Sequence, residues 1–362
     1  MKEKYKVAVD ARMIKMSGIG TYIRNLMKNG CYDVALGNKE GIGQVNSKIK
    51  TIDFNMGIYG IKEQLKYPYK ALKKENIDVL HVPHYNVPIF YRGKMVVTIH
   101  DLTHLLFPEF LPNKLAYLYA KFMMWIAIKK ANKVITVSEN TKKDILKFFK
   151  VNPDKIEVIY SGVGDEFVKK EKKDIEYLYE KFNIPRDKRI LMYVGNLKPH
   201  KNLERLLEAY SKISIKENAC LLLVGKAFDK YTVLEDREKE LNIDKNVIHT
   251  GIVTQEELVD LYNLSDLFVF PSLYEGFGLP VLEALACGIN VICSNSSSIP
   301  EVGGDVVKYF DPYNIEEMAN KIEGGLNKNF DCEVVQEWLK NFKWQSTATK
   351  HLDILKKIIK LK

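Results

Sequence analysis

Cysteine is scarce. Five residues, Cys31, Cys220, Cys287, Cys293 and Cys332, are spread over 362 positions, and no two form a CxxC. An odd, unpaired set supports neither a disulfide framework nor a structural zinc site, so these read as reduced, buried thiols. Long apolar runs are missing too. Residues 115–128 form the most apolar stretch, and Lys121 interrupts it, whereas a membrane-crossing helix takes about 18 or more clean apolar residues. The N-terminal MKEKYKVAVDAR enters a charged strand without the apolar core of a signal peptide. The expected location is cytoplasmic. Low-complexity tracts and internal repeats are absent, and no segment is extreme in composition, which excludes a disordered or fibrous chain. The fingerprint GxGxxG is also missing, because Ile23 stands where Gly18 and Gly20 would need their third glycine.

Charge is present but uneven. Residues 1–165 carry 27 Lys+Arg against 15 Asp+Glu, or +12, and the remainder carries 28 against 31, or −3. An anionic partner would be drawn to the N-terminal half. An acidic membrane and a phosphorylated small molecule both fit; no nucleic-acid-binding motif accompanies the charge, so nucleic acid is not expected.

The length suggests two domains. Short apolar or β-branched runs at 5–9, 79–81, 95–99, 133–137, 156–159, 190–194, 220–224, 247–249, 267–270 and 291–293 read as strands buried on both faces. Helical patterns such as 202–213, 255–264 and 280–287 lie between them, and this alternation predicts parallel sheets covered by helices. A charge-dense stretch at 165–180 and a turn-rich one at 182–187 mark the break. The predicted domains are 1–165 and 166–340, followed by a helical segment, 341–362. Its basic amphipathic end, 353–362, could pack on either domain, the N-terminal one included. The fold class is α/β, with two doubly wound, Rossmann-like domains facing across a cleft. In such sheets ligands bind beyond the carboxyl ends of strands.

Candidate site residues fall at those ends. After the 267–270 strand comes Glu275-Gly276-Phe277-Gly278-Leu279-Pro280-Val281-Leu282-Glu283. Two glycines let backbone approach a ligand closely, Pro280 suits a first helical turn, and the free N–H groups of that turn favour a phosphate. Carboxylates on both sides can accept hydrogen bonds from sugar hydroxyls. Lys201, beyond the 190–194 strand in Gly195-Asn196-Leu197-Lys198-Pro199-His200-Lys201, is placed for a phosphate. Ser17-Gly18-Ile19-Gly20 reads as a loop before a helical pattern at 21–28. His100-Asp101 closes the 95–99 strand. His81, His84, His100 and His104 have spacings that zinc could use, but neither pair lies on one helical face, and no metal is expected. Residues 115–128, with Tyr117, Tyr119, Phe122 and Trp125, read as a crossover helix packed on the sheet or as an interfacial membrane helix.

The stretch FPSLYEGFGLPVLEALACGINVICSNSSSIPEVGGDVVKYFDP resembles the C-terminal signature of the retaining GT-B glycosyltransferases of family 4. The resemblance continues in YVGNLKPHKNLERLLEAY, VIHTGIVTQEELVDLYNLSD, SGIGTYIRNL, VVTIHDLTHLLFPE and VITVSENTKKDI, and so covers most of the chain. The most similar subgroup makes bacterial surface polysaccharides with mannosyl and rhamnosyl groups. The resemblance implies a GT-B fold and a metal-independent hexosyltransferase. No cofactor is implied beyond a nucleoside-diphosphate sugar such as GDP-mannose as co-substrate. It implies catalytic roles for Glu275, Lys201 and His100. Glu275 would bond the donor sugar's hydroxyls, Lys201 the diphosphate and Glu283 the ribose. Gly276, Phe277, Gly278 and Leu279 would offer backbone to the diphosphate and sugar, Gly18 and Gly20 would close over the phosphates, and Val253 would line the donor site. Asn196 and His200 stand where many members carry arginine, leaving one secure cation. Asp101 would orient its loop or the acceptor, a glycan or a lipid-linked sugar, with peripheral contact to an anionic membrane at the inner face of the plasma membrane. The rivals are a non-hydrolysing sugar-nucleotide epimerase, which needs further acid–base carboxylates in the N-terminal half, and a non-catalytic nucleotide-sugar-binding subunit.

Overall fold

A computed structural model describes residues 5–226, 233–326 and 331–361. The chain divides into two compact units. Unit 1 joins Met1–Gly162 to Phe342–Lys362, and unit 2 is Val163–Asn341.

Unit 1 holds seven strands: β1 Val7–Asp10, β2 Val34–Gly37, β3 Lys50–Asp53, β4 Val79–Val82, β5 Lys94–Ile99, β6 Lys133–Thr136 and β7 Ile156–Val158. They pair in parallel in the order β3-β2-β1-β4-β5-β6-β7. The order reverses at the β1/β4 neighbours, which makes their carboxyl ends the switch point where such sheets bind ligands. Helices cover both faces, so β1, β2 and β4 are buried throughout. Unit 2 repeats the plan with β8 Arg189–Val194, β9 Ala219–Val224, β10 Val247–Gly251, β11 Leu267–Phe270, β12 Asn290–Ser294 and β13 Lys308–Phe310. Its order is β10-β9-β8-β11-β12-β13, all parallel, and the switch lies between β8 and β11.

Three of these strands, β2, β3 and β13, were not expected from the sequence. β3 is an edge strand with no buried residue, and β13 spans three residues at the other unit's edge. Neither carries the apolar run that marks a doubly covered strand.

The Trp344–Lys360 helix packs in unit 1 against β4, β5 and the Gly18–Lys28 helix. It buries Trp344, Ala348, Ile354, Leu355 and Ile358, and each large apolar side chain so buried contributes about 1.5–3 kcal/mol. Thr347 Oγ1 donates to the Tyr160 carbonyl at 2.8 Å. Residue 362 of the expected terminal helix lies outside the described residues. Because this helix belongs to unit 1, the charge division is sharper than a split at residue 165 gives. Unit 1 carries 33 Lys+Arg against 15 Asp+Glu, or +18, and unit 2 carries 22 against 31, or −9.

Candidate active site

At the unit 2 switch point, the loops after β8 and β11 are tied together. Gly225, after β9, lets its own loop press on the one after β8: a Cβ there would sit 2.0 Å from the Gly195 carbonyl oxygen, at a φ of +144°. Asn202 ends the Pro199–Lys201 turn in the left-handed region, φ 63°. Its buried amide donates to the carbonyls of Pro271 at 3.1 Å and Pro312 at 2.8 Å. The Leu273 N–H donates to the His200 carbonyl at 2.9 Å, and the His200 side chain is buried.

These ties bring Lys201 Nζ to 2.6 Å from Glu275 Oε1. Ser272 Oγ donates to the same oxygen at 2.6 Å. The two charged side chains are 16% and 13% exposed, so water screens the pair only in part. The Leu279–Ala286 helix starts directly after Gly278, φ +121°, with Pro280 in its first turn. Glu283 lies in the helix's second turn and accepts from Tyr262 Oη at 3.0 Å. Burial pushes the Glu283 carboxyl up to about 7, although the Tyr262 bond opposes the shift. Phe277 is buried, whereas Gly276, Val253 and Asn196 are half-buried in loops of the same unit.

In unit 1, His100 follows β5. Its Nε2 lies 3.0 Å from the Pro83 carbonyl, which can only accept, so Nε2 carries the proton and Nδ1 is the acceptor atom. The ring packs edge-on to Tyr22 with centroids 4.8 Å apart, and Thr141 Oγ1 donates to the His100 carbonyl at 3.1 Å. Burial lowers the imidazole to about 4 against the opposing pull of Asp101; at neutral pH His100 is uncharged. Asp101 Oδ1 accepts from the Thr103 N–H at 2.8 Å and so holds its own loop.

Gly18 and Gly20 do not form the expected loop. Both lie inside the Gly18–Lys28 helix. A Cβ at residue 20 would meet the Ile14 carbonyl oxygen at 2.6 Å, so Gly20 lets the first helical turn press against the 13–14 backbone. The four histidines do not converge on a metal either. His81 bonds Tyr32 and Thr98, His104 bonds Tyr85, and His84 Nε2 lies 3.7 Å from Asp10. Among the described residues, no group of three or more His, Cys, Asp or Glu is arranged to hold a metal.

Sequence reasoning missed several residues. At the carboxyl end of β1, Arg12 is clamped by the buried carboxylates of Asp10, at 2.7 Å, and Glu63. Burial alone would raise the Asp10 carboxyl, but Arg12 holds it well below the usual range. The sequence signal was a lone DAR after a strand. In unit 2, Tyr262, Ser272, Ser297 and Ser298 also went unassigned.

Two family models match the chain: "Glycosyl transferases group 1" over residues 174–342 and "Glycosyltransferase Family 4" over residues 38–167. The chain belongs to the GT-B glycosyltransferases of family 4. Among its relatives, the serotype-specific mannosyltransferase WbdA of Escherichia coli is 31% identical over 293 residues, 75% of this chain but 34% of WbdA. The chain thus matches about a third of that relative's length. The O-antigen chain mannosyltransferase B of Escherichia coli is 27% identical over 79% of this chain and 76% of its own. The structure of Anabaena Alr3699/HepE in complex with UDP-glucose superposes with a TM-score of 0.81 at 17% identity, over 98% of this chain and 100% of that one. That likeness is one of fold. Each unit of this family member is a doubly wound sheet, and Lys201 and Glu275 lie on the loops after the two strands that flank the unit 2 switch point.

Proposed function

We propose that the chain transfers a hexose from a nucleoside-diphosphate sugar to a hydroxyl of a glycan or lipid-linked acceptor, with retention at the anomeric carbon, in surface-polysaccharide assembly. The observation that carries this reading is the Lys201–Glu275 pair beside the start of the Leu279–Ala286 helix. A cation and backbone N–H groups for the diphosphate thus sit next to a carboxylate for sugar hydroxyls. The mannosyltransferase names of the relatives support a hexose donor such as GDP-mannose.

In the reaction, the acceptor oxygen bonds the anomeric carbon on the face that the diphosphate leaves. The carbon–phosphate-oxygen bond breaks, and the acceptor proton passes to the departing diphosphate. Lys201 and the helix N-terminus stabilise the charge that develops there. Glu275 bonds sugar hydroxyls, Glu283 the ribose, and neutral His100 offers an acceptor atom to a sugar hydroxyl. The epimerase alternative requires mobile acid–base carboxylates in unit 1. The buried ones, Asp10 and Glu63, are both committed to Arg12.

The reading extends to a partner surface. On the Lys114–Lys130 helix, Ala120, Met123, Met124 and Ala127 face the core. Leu115, Leu118, Phe122 and Trp125 are 46–74% exposed, and their spacing places them along one face. Lys114, Lys121, Lys129 and Lys130 accompany them on the same helix, with Lys129 Nζ 4.9 Å from the Trp125 ring centroid. An apolar stripe among lysines, on a unit of charge +18, fits the interface of an anionic bilayer. Among the described residues, no helix is long and apolar enough to cross a membrane.

Thermal stabilisation by UDP-, GDP-, ADP- and dTDP-sugars tests the donor. A ligand at 100 times its Kd adds about 2.7 kcal/mol, and stabilisation by none of the four refutes the reading. Co-sedimentation tests the surface: pelleting with anionic but not neutral vesicles, lost in Phe122→Glu/Trp125→Glu, is expected. Self-association through the stripe without lipid binding refutes it.

A further inference from the structure

The loop that carries Glu275 is held by serines at the end of β12 and just after it. Ser298 is fully buried. Its Oγ lies 3.0 Å from the Glu275 carbonyl oxygen and 2.8 Å from that of Phe277, so one hydroxyl proton serves both in a three-centre bond. The Glu275 N–H donates to Ser297 Oγ at 2.9 Å. Ser297 holds a φ of 52°, a left-handed conformation uncommon outside glycine and typical of strain kept at functional sites. Ser294 Oγ donates to the Ser272 carbonyl at 2.6 Å, fixing the residue whose own hydroxyl bonds the Glu275 carboxylate.

Peptide geometry turns this into a statement about the donor. In a trans peptide, the C=O of one residue and the N–H of the next point in opposite directions. With the carbonyls of Glu275 and Phe277 drawn to Ser298, the N–H groups of Gly276 and Gly278 are turned to the other side of the loop. We infer that Ser298, assisted by Ser297, is a positioning residue: it fixes the peptide planes at 276 and 278 so that their N–H groups meet the sugar and diphosphate as the bond between them breaks. The inference rests on the donor reading above. It adds a role for two side chains that touch no substrate. Donors aimed at developing charge act mainly in the transition state, so the effect falls on kcat rather than on donor KM.

The test uses the full chain with three variants. Ser298→Ala removes both bonds at little change in volume. Ser297→Gly removes the other hydroxyl while relieving the left-handed strain. Ser265→Ala is the control: Ser265 is also buried and donates to the Leu261 carbonyl at 2.7 Å, but it lies before β11, at the amino ends of the strands, away from the site loops. Two readouts are taken. Amide exchange over residues 275–279 should accelerate at least tenfold in Ser298→Ala and stay unchanged in Ser265→Ala. Nucleoside-diphosphate release from GDP-mannose and UDP-glucose should show kcat down at least tenfold, with donor KM within threefold, in Ser298→Ala. Ser297→Gly should lose kcat without losing thermal stability. Unchanged exchange in Ser298→Ala overturns the inference whether or not the probes react. Equal kcat losses in Ser298→Ala and Ser265→Ala overturn it as well, reducing Ser298 to a stability role. A wild-type chain that binds neither probe refutes the donor reading instead, and the exchange result still decides the role of Ser298.

Discussion

Lys201→Ala breaks the ion pair at the centre of the site, and the structure sets the size of the effect. Removing one partner of a fully buried pair costs about 3–5 kcal/mol because the other charge is left desolvated. A hydrogen bond to a charged group contributes about 1.5–3 kcal/mol. Here both side chains keep some exposure, 16% and 13%, and Ser272 still bonds the orphaned Glu275 carboxylate. The lower range applies, so Lys201→Ala should cost unit 2 about 1.5–3 kcal/mol. For a unit of this size, each kcal/mol moves Tm by about 2–4 °C. Glu275→Ala should cost less, because a lysine left alone reaches water on its flexible stem. The double variant should be more stable than the sum of the single losses predicts, by about 1 kcal/mol or more. Urea denaturation of the four proteins measures this coupling. With saturating nucleoside diphosphate, the lysine turns to phosphate and the coupling should shrink. Transfer should fall on the order of a hundredfold or more in Lys201→Ala. A coupling below about 0.5 kcal/mol, within additive behaviour, would show that the pair is an incidental surface contact and would sink the charge-handling argument.

Three further outcomes follow from particular contacts. Glu283, raised to about 7, should make nucleotide affinity climb from pH 6 to 8 in calorimetry. Its folded-state pKa lies above the ordinary carboxylate value, so unit 2 should lose stability as pH rises from about 4.5 to 7; Glu283→Gln should flatten both slopes. Gly225→Ala puts a Cβ 2.0 Å from the Gly195 oxygen at φ +144°, and should lower Tm and abolish thermal stabilisation by nucleotide together. His351, fully buried and lowered to about 4 by burial, binds protons more readily when unfolded, near 6.5. Unit 1 should therefore lose roughly 2 kcal/mol from this group on going from pH 7 to pH 5, a loss that His351→Gln removes in pH-dependent denaturation.

The parts legible in the sequence are those written in contiguous residues. EGFGLPVLE announces itself because two glycines, a helix start and two carboxylates occur within nine positions, shortly after a strand end. The parallel sheets are legible because strands buried on both faces need apolar runs. What stayed hidden is long-range or edge-exposed. Ser298 acts on Glu275 and Phe277 from 23 and 21 residues away, through backbone carbonyls that carry no residue-type signal. Tyr262 finds Glu283 only once the Gln255–Leu264 helix is packed. The Asp10–Arg12–Glu63 clamp joins residues 51 apart. Gly18 and Gly20 misled because glycine permits a loop without requiring one. At Gly20 the requirement was close helix packing.

The division of charge suggests a last experiment, because the two units use charge over different distances. Unit 1, at +18, would act on a bilayer, in the contact proposed above, through a field summed over many exposed lysines, each contributing about 1 kcal/mol near an anionic surface. Such a field is screened within about 8 Å at physiological salt. Unit 2, at −9, repels a nucleoside diphosphate at long range, yet its site offers Lys201 and a helix N-terminus at contact distance in a partly desolvated loop. Added salt weakens the lysine contact slightly and also screens the general repulsion, so the two changes offset. Raising salt from 50 to 500 mM should therefore cut vesicle pelleting at least tenfold, while the Kd for a nucleoside diphosphate stays within about a factor of three. Calorimetry and co-sedimentation on one preparation make the comparison. If both fall together in proportion, donor capture depends on the long-range field of unit 1, and the short-range account of Lys201 is wrong.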